Sequence, residues 1–377
     1  MTTVCGTKRK SSLDSLLEAA DYLETQQKVE PPAKKPTLQT LLNHSSESDS
    51  SVPCLLTQRH IDELNELGYT VVENVVDAEV CMARHAALYE EMATRGVNWR
   101  DLGVSRSVGP QIHGIVQHLE IGHTRPVWEM RQEERVTRIF ERIYGDNDLL
   151  VSFDGICLWR LNDKDDGKRW WHVDQSHTKL GLRCIQGSIT MADCAGGLAV
   201  LPRSHLQHAT FAQHFERAGT MTDDWFKYEP EEFVRLKQLT GTTPVVLTPP
   251  VGSLVLWDSR TAHMAQMAPA TAPIQKRQRC VIYLCYQPRS MITGQNLLKK
   301  IKAYDEYRMT THWAASTIKL FPRSWRTWNV PQVAHDPAPE QRTRVETPRM
   351  LELAGKTPLK TRKRRLTTPA LKFVNSN

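Results

Sequence analysis

The eight cysteines of this 377-residue chain stand singly, at Cys5, Cys54, Cys81, Cys157, Cys184, Cys194, Cys280 and Cys285, and no CxxC pair is present. This pattern excludes a zinc finger and a disulfide framework, and it is the cysteine usage of a reduced intracellular protein. No stretch approaches the roughly 18 consecutive apolar residues that a membrane span requires. The opening MTTVCGTKRKSSLDS lacks the apolar core of a signal peptide. The expectation is a chain that is neither secreted nor inserted in a membrane. A basic body is also missing. From Gln341 to Asn377 ten Lys or Arg oppose two Glu, a balance of +8, so the net charge of +7 leaves −1 on residues 1–340. A neutral body argues against a deep nucleic-acid groove, whereas a basic tail fits an import signal or a loose polyanion anchor.

What is present is ample apolar content, 40% of residues, for a core of enzyme size. Three zones follow. Residues 1–55 are rich in Ser, Thr, Lys, Glu and Pro and read as disordered, apart from one amphipathic helix at about 11–25. Residues 56–330 form the expected globular domain. They open with helical patterns (LTQRHIDELNELG and AEVCMARHAALYEEMATRG) around a strand-like YTVVENVV. Short β-like runs follow: GSITMADC, GLAVLP, TPVVLTPP, GSLVLWD and RCVIYLCY. That order predicts a mainly β fold, a jelly roll with flanking helices. Residues 331–377, again rich in Pro and charge, read as a basic disordered tail.

The chemistry begins at WWHVDQSH, residues 170–177, where His172 and Asp174 stand two apart. An HxD pair joined by a histidine from a distant strand makes a facial triad for non-haem iron(II), with the opposite positions left for co-substrate and dioxygen. His263, in the turn after GSLVLWD, is the natural third ligand. These segments, with GGLAVLPRSH at 196–205, GSLVLWDSRTAH at 252–263 and RCVIYLCYQPR at 279–289, resemble in order the phytanoyl-CoA dioxygenase family of iron(II)- and 2-oxoglutarate-dependent oxygenases. The resemblance implies a double-stranded β-helix core, with His172, Asp174 and His263 holding iron, and 2-oxoglutarate and dioxygen as co-substrates. It also implies an arginine clamp for the far carboxylate of 2-oxoglutarate, since a guanidinium pairs with a carboxylate through two hydrogen bonds. Alignment of the strand favours Arg279, and the insertion APATAPIQK leaves Arg277 as the alternative. Trp170 and Trp171 read first as core packing, with a wall beside the metal as the other reading. Arg203, where relatives have glycine, leads us to expect a turn without a positive φ. His205 reads equally as a turn histidine or a site residue.

The terminal zones suggest context. In SSLDSLLEAADYLETQQ, residues 11–27, Leu13, Leu16, Leu17, Ala20 and Leu23 share one helical face behind a Ser11–Asp14 capping pattern. LLEAADYLE at 16–24 resembles the helix by which Mad-family repressors engage the paired-amphipathic-helix domain of Sin-family corepressors, with Leu16, Leu17, Ala20 and Leu23 as anchors. Lys8-Arg9-Lys10 and KTRKRR at 360–365 resemble nuclear import signals, implying an import receptor and a nuclear location. The reading is a nuclear dioxygenase brought to chromatin by a corepressor, acting on DNA or a chromatin protein. Its alternatives are a non-catalytic adaptor with an oxygenase fold, or a small-molecule or lipid hydroxylase.

Overall fold

A computed structural model of the chain describes residues 52–94, 98–100, 114–117, 119–161, 163, 165, 167–221, 223–321, 344–359 and 369–374. The first helix, α1 (Gln58–Glu66), buries His60, Ile61 and Leu64 on one face, as its apolar spacing predicts. It ends at Gly68, whose φ of +86° and close approach to His205 and Thr261 leave no room for a Cβ. Strand β1 (Tyr69–Val72) and helix α2 (Ala78–Thr94) follow, then β2 (Ile115–Val116), α3 (Arg125–Arg131) and α4 (Glu134–Tyr144). Strands β3 (Leu149–Val151), β4 (Ile156–Trp159), β5 (His172–Val173), β6 (Ile185–Thr190) and β7 (Gly197–Val200) begin the sandwich. Helices α5 (His208–His214) and α6 (Glu216–Thr220), strand β8 (Phe226–Lys227) and helix α7 (Pro230–Thr240) interrupt it. Strands β9 (Val245–Leu247), β10 (Leu254–Asp258), β11 (His263–Gln266) and β12 (Arg279–Pro288) complete it, followed by helices α8 (Gly294–Asp305) and α9 (Pro348–Ala354).

The larger sheet runs β1-β10-β6-β12-β4-β2, with β3 also on β12, and the smaller runs β8-β5-β11-β7-β9; all the pairings are antiparallel. This is the expected jelly-roll architecture of two antiparallel sheets with flanking helices. Alternation along β12 decides what each layer receives. Cys280, Ile282 and Leu284 join the core shared with the helices, where Phe140 of α4 meets Tyr286 at 4.7 Å between ring centroids. Val281 and Tyr283, on the opposite face, join the aromatic core that includes Trp159, Met264 and Phe226. Arg279 shares the parity of Val281 and Tyr283. Among the described residues no helix is long and apolar enough to cross a membrane.

Two expectations need correction. The tail is ordered over 344–359 and 369–374: Thr347 caps α9 by accepting from the Met350 N–H at 3.1 Å, and Leu353 is fully buried. Arg289 ties α9 to the body, donating to the carbonyls of Glu352 and Thr357 at 2.9 Å each and to Asp148 Oδ1 at 2.9 Å. Phe373 stacks on Tyr144 at 4.4 Å, and the Val374 N–H bonds to the Leu182 carbonyl at 2.9 Å. Polar composition hid these few apolar anchors, which are stabilised by a distant surface. Arg203, too, does take a positive φ, +67°, where its N–H donates to the Leu67 carbonyl at 2.9 Å. The surrounding contacts hold a non-glycine residue in the left-handed region. The candidate corepressor helix with Leu16, Leu17, Ala20 and Leu23, and the basic clusters at 8–10 and 360–365, lie outside the described residues.

Candidate metal centre

Strands β5 and β11 lie side by side with His172 and His263 in direct register, which places two imidazoles distant in sequence on one face of the smaller sheet. The chain leaves β5 at Asp174, whose N–H donates to the Ser259 carbonyl at 3.2 Å and so ties it to the loop that precedes His263. Asp174 Oδ1 lies 3.7 Å from His172 Nε2, and Oδ2 lies 3.3 Å from His263 Nε2. One ligand atom from each residue falls within 4.8 Å of the others.

The protonation pattern follows from the neighbours. His172 Nδ1 is 3.0 Å from the Trp170 carbonyl and His263 Nδ1 is 2.8 Å from the Thr261 carbonyl. A carbonyl only accepts, so each Nδ1 carries hydrogen and each Nε2 is the ring atom left to face the carboxylate. This second contact is what orients a metal-binding imidazole. Gln186 on β6 donates to Asp174 Oδ2 at 3.1 Å, holding the carboxylate in place. Burial alone would raise the Asp174 carboxyl, but the imidazoles of His312, His172 and His263 outweigh it and hold it well below the usual carboxylate range. Two imidazole Nε2 atoms and one ionised carboxylate are the donor set that suits iron(II).

A cavity of about 710 Å³ opens beside the three residues. Trp170, Trp225, Trp257, Tyr283, Trp313 and Phe321 line it, together with Asp154, Gln186 and His312. The tryptophan pair divides its work. Trp170 stacks on the His172 ring at 4.2 Å and joins the cavity wall, whereas Trp171 stacks on Phe233 at 4.4 Å within the core.

The two arginines separate as sharply. Arg277 uses its guanidinium on loop carbonyls, donating to Ala272 at 2.9 Å and to Ala270 at 2.7 Å. Arg279 is buried at 3% exposure at the start of β12, its guanidinium 5.3 Å from the Trp159 ring. Tyr283, a cavity-lining residue, lies four residues on, along the same face of β12. The Arg279 Nη1 is buried without a partner among the described residues, an orphaned donor in keeping with a carboxylate ligand.

His205, His177 and His123 have structural partners. His205 Nε2 meets the Asn65 carbonyl at 3.1 Å, the turn reading. His177 is held between the His208 carbonyl and the Tyr228 hydroxyl, at 2.8 and 3.1 Å, and His123 meets the Arg308 carbonyl at 2.8 Å. His113 and His118 lie outside the described residues. Sequence reasoning missed Gln186, Asp154 and His312. Gln186 stands one residue before the strand read as GSITMADC, which the structure begins earlier, at Ile185; His312 lies in a segment with no motif.

The sequence profile described as phytanoyl-CoA dioxygenase (PhyH) matches residues 64–267, a span that includes His172, Asp174 and His263 and ends short of Arg277 and Arg279. Ava biosynthesis cluster protein O from Aspergillus versicolor is 26% identical over 293 residues, covering 73% of this chain and 88% of its own. Among solved structures, EctD from S. alaskensis with bound Fe is similar at 17% identity, covering 67% of this chain and 82% of that one, with a TM-score of 0.42. The epimerase SnoN, in complex with Fe3+, alpha ketoglutarate and nogalamycin RO, is similar at 17% identity over 62% of this chain and 83% of its own, with a TM-score of 0.42.

Proposed function

The chain belongs to the phytanoyl-CoA dioxygenase family of iron(II)- and 2-oxoglutarate-dependent oxygenases, and from that premise we propose that it oxidises a small organic molecule held in the cavity beside His172, Asp174 and His263. The observation that carries this reading is the cavity itself, whose 710 Å³ and aromatic lining suit a compact, partly apolar substrate. The relative named for a biosynthesis cluster supports the same class. Hydroxylation is the expected outcome, with demethylation where a hydroxymethyl group is left on a heteroatom.

The Nε2 atoms of His172 and His263 and the carboxylate of Asp174 would hold the iron. When bound with 2-oxoglutarate, it supplies dioxygen activation coupled to oxidative decarboxylation. The rest is the work of this chain. The carbonyls of Trp170 and Thr261 keep both imidazoles in the binding tautomer, and Gln186 keeps the carboxylate turned toward them. The open Nη1 of buried Arg279 would take the far carboxylate of 2-oxoglutarate. The aromatic wall gives the reacting face an apolar surround. The test is succinate formation from 2-oxoglutarate by the full chain loaded with iron(II), beside His172→Ala and Asp174→Ala, across panels of small molecules, DNA and nuclear protein. Stimulation by small molecules, lost in both variants, is expected; stimulation by DNA or protein alone would reject the substrate class.

A second proposal rests on the terminal sequences. The likeness of residues 16–24 to a corepressor-binding helix, with the basic clusters at 8–10 and 360–365, supports nuclear import through an import receptor and docking on a Sin-type scaffold. Proline at position 16 is incompatible with the interior of a helix. Leu16→Pro should abolish capture of the scaffold's paired-amphipathic-helix domain while succinate formation persists, and retained capture would reject the docking.

A further inference from the structure

We infer that the substrate carries a protonated nitrogen, an amine or an alkylated ammonium, and that Asp154 is the residue that receives it. This rests on the small-molecule oxygenase reading and extends it to the substrate's charge.

Four carboxylates line the cavity: Asp154, Asp174, Asp223 and Asp224. Asp174 faces the two imidazoles of the metal centre. Asp223 pairs with Lys319 at 2.9 Å, and Asp224 pairs with Lys179. Asp154, in the turn between β3 and β4, is 6% exposed and has no ion-pair partner among the described residues. Its Oδ1 accepts the Gly155 N–H at 3.0 Å, and no hydrogen bond to Oδ2 is seen among the described residues. Arg131 reaches the same residue from behind, but its guanidinium donates to the Asp154 carbonyl at 3.1 Å, not to the carboxylate. His312, which lines the cavity, has a buried Nε2 with no partner among the described residues.

A buried carboxylate with one hydrogen bond is costly unless a counter-charge arrives. Burial pushes the Asp154 carboxyl up to about 6, against the lowering influence of His312 and Arg131, which marks a charge short of compensation. A substrate hydroxyl would complete the hydrogen bonding but leave that charge in place. An ammonium would supply both donor and charge. The rest of the wall suits the same group: Trp225, Trp257, Trp313, Tyr283 and Phe321 line it, and aromatic rings attract a desolvated cation. Of the lining's own ammonium groups, Lys319 is paired with Asp223, and Lys227 stands beside His172 in the smaller sheet, whereas Asp154 lies between β3 and β4 at the larger one.

The test compares three probes on one hexyl tail, hexylammonium, 1-hexanol and hexanoate, titrated by calorimetry into the full chain loaded with Mn(II) and 2-oxoglutarate. Hexylammonium should bind at least about tenfold more tightly than the other two, the scale of one charge-assisted hydrogen bond. Asp154→Asn should bring it to the level of the alcohol, and Asp154→Glu should keep part of the preference. Equal affinity of amine and alcohol for the wild-type chain, or no binding of the amine, overturns the proposal. So does a preference that survives in Asp154→Asn. Because the wild-type comparison needs no variant, misfolding of Asp154→Asn cannot obscure it. Failure of the wild-type chain to take up Mn(II) or 2-oxoglutarate would instead sink the oxygenase reading beneath.

Discussion

His172 and His263 face each other across two antiparallel strands, and each directs its Nδ1 to the carbonyl two residues before it, Trp170 at 3.0 Å and Thr261 at 2.8 Å. The same local bond made twice sets two Nε2 atoms toward one carboxylate. The site is therefore organised before any ligand enters, and preorganisation is what makes a weakly bound divalent ion selective for this position.

That arrangement predicts stabilisation by metal. Mn(II), an air-stable stand-in for iron(II), present at about 100 times its Kd should add about 2.7 kcal/mol. For a domain of this size the melting temperature then rises on the order of 5–10 °C. His172→Ala, Asp174→Ala and His263→Ala should each abolish the rise. A full rise in Asp174→Ala, measured by calorimetry, would remove that residue from the ligand set.

The two arginines make a paired prediction. Arg279→Ala should weaken 2-oxoglutarate binding by about 30-fold or more, the loss expected when one partner of a buried charged pair is removed. Arg279→Lys should rescue little, because a point charge does not reproduce the guanidinium fork. Arg277→Ala, which disturbs only loop carbonyls, should stay within about twofold of wild type. Calorimetric titration with 2-oxoglutarate separates the outcomes, and the reverse order would reassign the clamp.

Acid sensitivity should come from the buried pair of His177 and His208. Burial lowers His177 to about 4 and, with the His177 ring stacked on it, lowers His208 to about 3. A base whose folded pKa lies below its unfolded value binds more protons when unfolded. The stability is thus fully present above about pH 6.5 and is lost as pH falls toward those folded values, by about 1.4 kcal/mol per pH unit for each histidine. His177→Phe should flatten the decline in urea stability between about pH 7 and about pH 5. An unchanged slope would place the acid sensitivity elsewhere.

The C-terminal anchor is testable by packing. Leu353 is fully buried on α9, and Leu353→Ala should cost about 2–5 kcal/mol. Urea unfolding of the variant checks this, and a loss under about 0.5 kcal/mol, the scale of a surface change, would mean that α9 is not seated on the body.

The sequence alone determined the class of fold, because strands, turns and capping helices are local patterns and alternate as the structure does. It also singled out His172, Asp174 and His263, because an HxD pair and a histidine after a strand are short-range signals that survive without knowledge of the fold. It misread Arg203, whose positive φ is imposed by contacts from elsewhere in the chain, and it misread the tail, whose α9 is helical by virtue of the surface it meets. The tertiary structure alone decided that Arg279 is buried while Arg277 serves a loop, and that Asp154, Gln186 and His312 share one cavity. These residues lie as far apart as 154 and 312, and no local pattern records which distant faces a sheet will bring together, since that is settled by strand register and the packing of two sheets.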